Sequence, residues 1–315
     1  MITRRTALLT GTAALLTPLA ARATDPGYHL KPAEIADGVW LIEGAQDSFA
    51  PANGGAICNI VMLRTDQGAV VIDSGGTALH GAALRGFADQ RLGGVAATLN
   101  THHHPDHWFG NQAFADRPIL ALPATRDLQA QNAQALSEGL YRILGGWMRG
   151  TAPLPAATAV TDDSMVIGGR DLRLLALSGH SQADLALLDP TTGTLIAGDL
   201  LFLDRAPSFP DADLGAWRGA LDRLAAIPAS GIVPGHGPFM RDSRAFAQTR
   251  AYLDAFQDRL GRAADLGLAP AETLAAGPMP EFAGLGANPE EYHRAVVQRW
   301  RDFEDMALPL IGGTA

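Results

Sequence analysis

The stretch Thr101-His102-His103-His104-Pro105-Asp106-His107-Trp108 constrains this chain more than any other, because it places four of the nine histidines within six positions. Imidazole with a free lone pair is the commonest protein ligand for zinc and similar ions, and a carboxylate beside it adds a charged oxygen ligand. The stretch predicts a metal loop with donors enough for two ions.

Its place along the chain sharpens the expectation. Val95-Ala96-Ala97-Thr98-Leu99-Asn100 is a short apolar run that ends where the histidines begin, so the cluster sits at a strand's carboxyl end. If the chain stays extended, His102 and His104 project to one side and His103 to the other, because side chains alternate along a strand. Pro105 disfavours helix at His104 and reads as a turn, after which Asp106 and His107 can face a second ion. A histidine cluster alone is equally consistent with a solvated loop or an adventitious metal trap. What decides is the rest of the sequence: Gly179-His180-Ser181, Gly198-Asp199 and Pro234-Gly235-His236-Gly237 each follow an apolar strand-like run. His29, His80 and His293 lack such a setting, and His293 reads as a helix-surface residue.

Between these points the pattern alternates strand and helix. Strands are expected over 39–42, 57–63 and 69–72, a helix over 84–92, the strand before the histidines, and a helix over 107–114. A long helix is expected over 124–148, followed by a proline-containing connector over 150–159. The second half opens with a strand over 172–177, continues with a hairpin around Pro190-Thr191-Thr192-Gly193, and then shows a helix over 214–227 and a strand at Ile232-Val233. Two amphipathic helices, 243–266 and 289–308, close the chain. Strand, helix and strand with ligands at strand ends suits an α/β layered arrangement.

These segments resemble, in the same order, the ligand motifs of the metallo-β-lactamase-fold hydrolase superfamily, over roughly residues 36 to 240. The resemblance implies a four-layer αββα sandwich with a C-terminal helical extension. It assigns His102, His104 and His180 to a three-histidine metal site, Asp106, His107 and His236 to a second site, and Asp199 to a bridge between the two. Asp106 would also guide a proton in catalysis. Asp73, closing the run Val70-Val71-Ile72 before Ser74-Gly75-Gly76, matches a supporting aspartate that orients the ligand loop. Two zinc ions are implied, with iron or manganese as alternatives because their ligand sets overlap.

Composition sets further limits. With 24 basic against 33 acidic residues the net charge is −9, and Lys31 is the one lysine. That balance argues against a nucleic-acid groove, and the resemblance implies a small-molecule substrate. A hydrophobic content of 47% is ample for a buried core. The amino terminus, Thr3-Arg4-Arg5-Thr6-Ala7-Leu8-Leu9 with a following apolar run and Ala21-Arg22-Ala23, reads as a twin-arginine export signal over residues 1–23, with a general secretory signal as the alternative. The run is too short to span a bilayer, no later stretch approaches membrane length, and a periplasmic location follows. The remaining chain divides into a catalytic domain over 24–242 and the helical extension over 243–315. The single cysteine, Cys58, lies in a strand-like run and reads as a buried thiol rather than a ligand.

The full ligand set resembles that of hydroxyacylglutathione hydrolases, lactonases and related enzymes, which implies a metal-bound hydroxide acting on a thioester, lactone or related carbonyl. The export signal, histidine loop and long helical tail resemble the quinoprotein relay system zinc metallohydrolases, relatives of the SoxH proteins found with periplasmic redox dehydrogenases, and imply association with such a redox system. The alternatives are a metallo-β-lactamase and a single-iron enzyme of the persulfide dioxygenase type. Arg205, six residues after Asp199, is read either as a partner for a substrate carboxylate or as a surface arginine.

Overall fold

In the computed structural model, which describes residues 27–307, the apolar runs of the sequence become central strands covered on both faces. The export signal read over residues 1–23 lies outside the described residues. The first sheet contains β1 (Pro32–Ala36), β2 (Val39–Ile42), β3 (Ile60–Thr65), β4 (Gly68–Ile72), β5 (Val95–Leu99), β6 (Ile119–Ala121) and β7 (Thr158–Ala159), adjacent in that order. Its first four strands pair antiparallel, and β4 through β7 pair parallel. The parallel part needs crossovers. α1 (Ala78–Arg91) links β4 to β5, α2 (Pro105–Trp108) begins the next link, and α3 (Pro123–Leu144) lies between β6 and β7.

The second sheet contains β8 (Ser164–Ile167), β9 (Arg170–Leu177), β10 (Asp184–Asp189), β11 (Thr194–Ile196) and β12 (Gly231–Val233), in the order β12-β11-β10-β9-β8. It too is mixed: α4 (Leu214–Ala225) carries the chain from β11 to the parallel β12. α5 (Arg244–Asp265), α6 (Pro270–Ala275) and α7 (Glu290–Ala307) complete the described chain.

Alternation along each strand separates the layers. In β4, Val70 and Ile72 face the other sheet, while Ala69 and Val71 face α1 with Leu84 and Ala88. In β10, Leu185 and Leu187 join the inter-sheet core, while Ala186 and Leu188 face Trp217 and Leu221 of α4. Strands buried on both faces read as unbroken apolar runs, which is why they were visible. α5 and α7 place Tyr252, Phe256, Val296, Trp300 and Phe303 in the same cluster as α4, so this outer layer shares one continuous core across residue 242. The architecture is the αββα sandwich with C-terminal helices. No helix among the described residues is long and apolar enough to cross a membrane.

Several boundaries differ from expectation. The helix expected over 107–114 begins at Pro105, stops after Trp108 and resumes as a 3-10 turn over Asn111–Phe114. Gly110 sits at the break, where a Cβ would strike the Ser74 carbonyl and the Gly81 backbone. The strand expected from residue 57 starts at Ile60. β1, β6, β8 and α6 have no counterpart in the sequence reading, and β7 falls in the stretch read as a connector; β1, β7 and β8 are sheet edges with partly exposed residues.

Candidate metal centre

Each ligand candidate is delivered by a loop at the carboxyl end of a strand: Asp73 after β4, His102 to His107 after β5, His180 after β9, Asp199 after β11 and His236 after β12. Such loops can be shaped for chemistry while the layers hold their positions. Residues 101–104 are a bend rather than an extended continuation of β5, and His104 turns extended only as the residue before α2. His102 and His104 nonetheless converge, and His103 points away.

The first group is tight. His104 Nδ1 lies 3.0 Å from His102 Nε2 and 2.8 Å from His180 Nε2. Asp199 Oδ2 lies 3.3 Å from His180 Nε2 and 3.8 Å from His102 Nε2. In the second group, His107 Nε2 is 3.2 Å from Asp199 Oδ1 and 3.5 Å from Asp106 Oδ2. His236 Nε2 is 3.4 Å from Asp106 Oδ2 and 3.3 Å from Asp199 Oδ2. Asp199 is therefore common to both groups, one oxygen toward His107 and the other toward His102, His180 and His236.

The backs of the rings are held. His107 Nδ1 donates to Asp73 Oδ2 at 2.7 Å, and Asp73 also accepts from the Thr101 amide and hydroxyl, both at 2.8 Å. His236 Nδ1 donates to the Ile57 carbonyl at 2.8 Å. These bonds fix the tautomer that leaves Nε2 as the inward lone pair. Burial holds His102 and His180 well below the usual imidazole range, with His107 reinforcing the effect on His102, so both rings are neutral donors at pH 7. Burial alone would raise the Asp199 carboxyl, but His236, His107, His180 and His102 together outweigh it and hold the group well below the usual carboxylate range.

The fit to a metal rests on atoms that protein alone leaves unsatisfied. His107 Nε2 and Asp199 Oδ1 are buried without a hydrogen-bond partner, and three imidazole nitrogens crowd one point in the first group. Buried polar atoms are almost always paired, and lone pairs aimed at one another repel. Cations resolve both difficulties, and a set of imidazoles and carboxylates suits zinc.

Two further aspartates belong to the site and were not anticipated. Asp211 accepts from His103 Nε2 and His104 Nε2, both at 3.1 Å, which turns His104 Nδ1 inward. Those two bonds hold its carboxyl well below the usual range. Asp184 accepts from the Ser181 amide at 3.0 Å and the Ser181 hydroxyl at 2.7 Å, pinning the turn that carries His180, and burial pushes it up to about 7. The spacing from Ser181 to Asp184 is a recognisable turn signal; Asp211 has none, because only the fold brings it 107 positions back to His104.

Cys58 is buried and its thiol donates to the Asp106 carbonyl at 2.9 Å. Burial pushes that thiol well above its usual range, which leaves it a protonated support for the Asp106 backbone. Arg205 is 2% exposed, which corrects the surface alternative. Its guanidinium pairs with Glu291 at 3.2 Å and donates to the Asp47 carbonyl.

Beside the two groups opens a cavity of about 280 Å³. His104, Asp106, Asp199 and His236 form its floor, Phe49, Leu136, Leu140 and Ile143 one wall, and Arg205, Glu291, Arg294 and Gln298 the other.

Comparison with known proteins agrees with this geometry. The metallo-β-lactamase superfamily profile matches residues 53–236, more than half of the chain, and the chain belongs to that superfamily. A hydroxyacylglutathione hydrolase of Synechococcus sp. (strain JA-3-3Ab) is 26% identical over 134 residues, spanning 42% of this chain and 46% of that protein. The chain thus spans about half the length of that relative. Metallo-beta-lactamase domain-containing protein 1 of Mus musculus is 29% identical over 210 residues, spanning 64% of this chain and 71% of that protein. Among solved structures, a metallo-beta-lactamase from Pontibacter korlensis superposes with a TM-score of 0.58 at 24% identity, covering 72% of this chain and 99% of that one, a likeness of fold.

Proposed function

We propose that this chain is a dinuclear zinc hydrolase acting on a thioester, lactone or related carbonyl compound, exported to the periplasm by the signal read over residues 1–23 and working there beside a redox system. The observation that carries the catalytic part is Asp199, whose two oxygens face both histidine groups. His102, His104 and His180 would hold one ion and Asp106, His107 and His236 the other, with Asp199 between. Zinc held there supplies Lewis acidity, which polarises a carbonyl oxygen and acidifies water.

The protein's own groups do the rest. Asp106 lies on the cavity floor and guides a proton during attack. Asp73 keeps His107 in one tautomer, and Asp211 does the same for His104. The apolar wall of Phe49, Leu136 and Leu140 excludes bulk water and strengthens every electrostatic contact on the floor. The partial match to hydroxyacylglutathione hydrolases favours a thioester.

The test is metal content and turnover on the full mature chain. Two zinc ions per chain, with thiol release from simple thioesters, support the reading; Asp199→Asn lowers kcat/KM by about a hundredfold or more. One iron with oxygen uptake on a persulfide, or efficient nitrocefin cleavage with inert thioesters, would overturn it.

A further inference from the structure

The walls of the cavity come from helices that carry no metal-ligand candidate, and their chemistry differs. α3 contributes Ala135, Leu136, Gly139, Leu140 and Ile143, spaced so that one helical face looks onto the floor. Nothing lies within 4 Å of the position a Cβ would take at Gly139, so a side chain there would extend into open space rather than meet protein. α7 supplies the opposite wall. There Glu291, 4% exposed, stands between two guanidiniums, Arg205 at 3.2 Å and Arg294 at 3.1 Å. One carboxylate between two guanidiniums leaves one positive charge over. Arg205 is buried and also bonded to the Asp47 carbonyl, whereas the Arg294 side chain is 45% exposed and its remaining protein partner is the Ser48 hydroxyl at 2.9 Å. The unneutralised charge therefore faces the cavity on Arg294.

We infer that this site takes a substrate with one compact apolar arm, laid along the Ala135-Gly139-Ile143 face of α3, and one carboxylate, read by Arg294 of α7. The inference rests on the hydrolase reading for the identity of the site, but the binding it describes does not require turnover. A cavity of about 280 Å³ suits a short acyl or alkyl group. A single spare guanidinium on the α7 wall suits one carboxylate. Arg294 is a specificity residue: a guanidinium pairs with carboxylate in a two-pronged geometry that an ammonium reproduces only in part.

The experiment uses non-hydrolysable S-alkyl-3-mercaptopropionic acids, ethyl to octyl, and their methyl esters, titrated calorimetrically into the zinc-loaded full chain. The acids are expected to bind about tenfold more tightly than the esters. Arg294→Ala should bring that ratio close to unity and Arg294→Lys should retain part of it. Gly139→Leu should lower the hexyl-to-ethyl affinity ratio about tenfold, since each methylene excluded from an apolar slot forfeits its contribution. Gly139→Ala, which favours the helix, guards against misfolding and should show a smaller effect of the same sign. Equal binding of acids and esters overturns the inference. So does an acid preference that survives in Arg294→Ala, which would place the carboxylate on the metals, or an unchanged chain-length ratio in Gly139→Leu. The corresponding S-acyl-3-mercaptopropionic acids, thioesters that keep the free carboxylate, are assayed separately: binding with the stated preferences but no cleavage sinks the hydrolase reading and leaves this one standing.

Discussion

Asp73 is the residue on which the histidine loop leans. It adopts a left-handed backbone with φ 64°, which aspartate tolerates better than most side chains, and from there both of its oxygens reach residues of the loop. Replacing it with asparagine keeps the shape but confuses the donor and acceptor pattern behind His107. Asp73→Asn should weaken the more labile zinc about 10- to 100-fold in a chelator competition, with the tighter zinc less affected. An unaltered competition curve would remove Asp73 from the site's support. His80 illustrates a different residue-scale effect. It is buried at the start of α1, its ring stacked on Tyr28 at 4.5 Å, and burial lowers its pKa to about 4. The unfolded chain takes up this proton near pH 6.5, before the folded one does. Stability from the neutral ring is therefore complete above about pH 6.5 and lost as pH falls toward 4, by about 3 kcal/mol. His80→Phe should remove that part of the pH dependence in denaturant midpoints measured from pH 7 to 4; parallel curves would contradict it. At this scale the sequence pointed to the ligand candidates and to Asp73 as their support, and was silent about Asp211. His180, Asp199 and His236 each follow an apolar run and stand beside glycine, whereas Asp211 lies in a loop with no periodicity and meets His104 only in three dimensions.

Elements place these residues by ending where they do. β5, β9, β11 and β12 all terminate on one rim, and the close approach of their loops leaves little room. Gly235 shows how little: a Cβ there would strike Asp199 Oδ1 and the Gly198 backbone. Gly235→Ala should destabilise the fold by about 1–3 kcal/mol in a urea titration and reduce zinc bound per chain, because the carboxylate must move. Full zinc content with native stability would show that the loops are looser than they look. Most central strands were legible because burial on both faces makes them continuously apolar, but β6, three residues long, was too short to stand out. The edge strands β1 and β8 were not, since a strand with a neighbour on one side keeps exposed residues and a broken pattern. The interruption between α2 and the following 3-10 turn was also hidden, because it is imposed by the packing of Gly110 against Ser74 and Gly81.

Across the whole molecule the C-terminal helices are part of the main structure. Tyr252, Phe256, Trp300 and Phe303 complete the core over α4, and α7 also walls the cavity through Glu291, Arg294 and Gln298. Truncation after residue 242 would expose that surface and open the cavity, so the shortened chain should lose the single cooperative thermal transition of the full one; a sharp transition at an unchanged temperature would mark the helices as an appendage. The amphipathic pattern of residues 243–266 and 289–308 announced two covering helices, but that one of them reaches the cavity could not be read from periodicity.

The central claim is that four distant loops cradle two cations sharing Asp199. Crystals of zinc-loaded protein, measured on both sides of the zinc absorption edge, test it most directly. Two anomalous peaks are predicted, one among His102, His104, His180 and Asp199, the other among Asp106, His107, His236 and Asp199. Absence of any peak, or density confined to the neighbouring His103 and Asp211, would contradict the account.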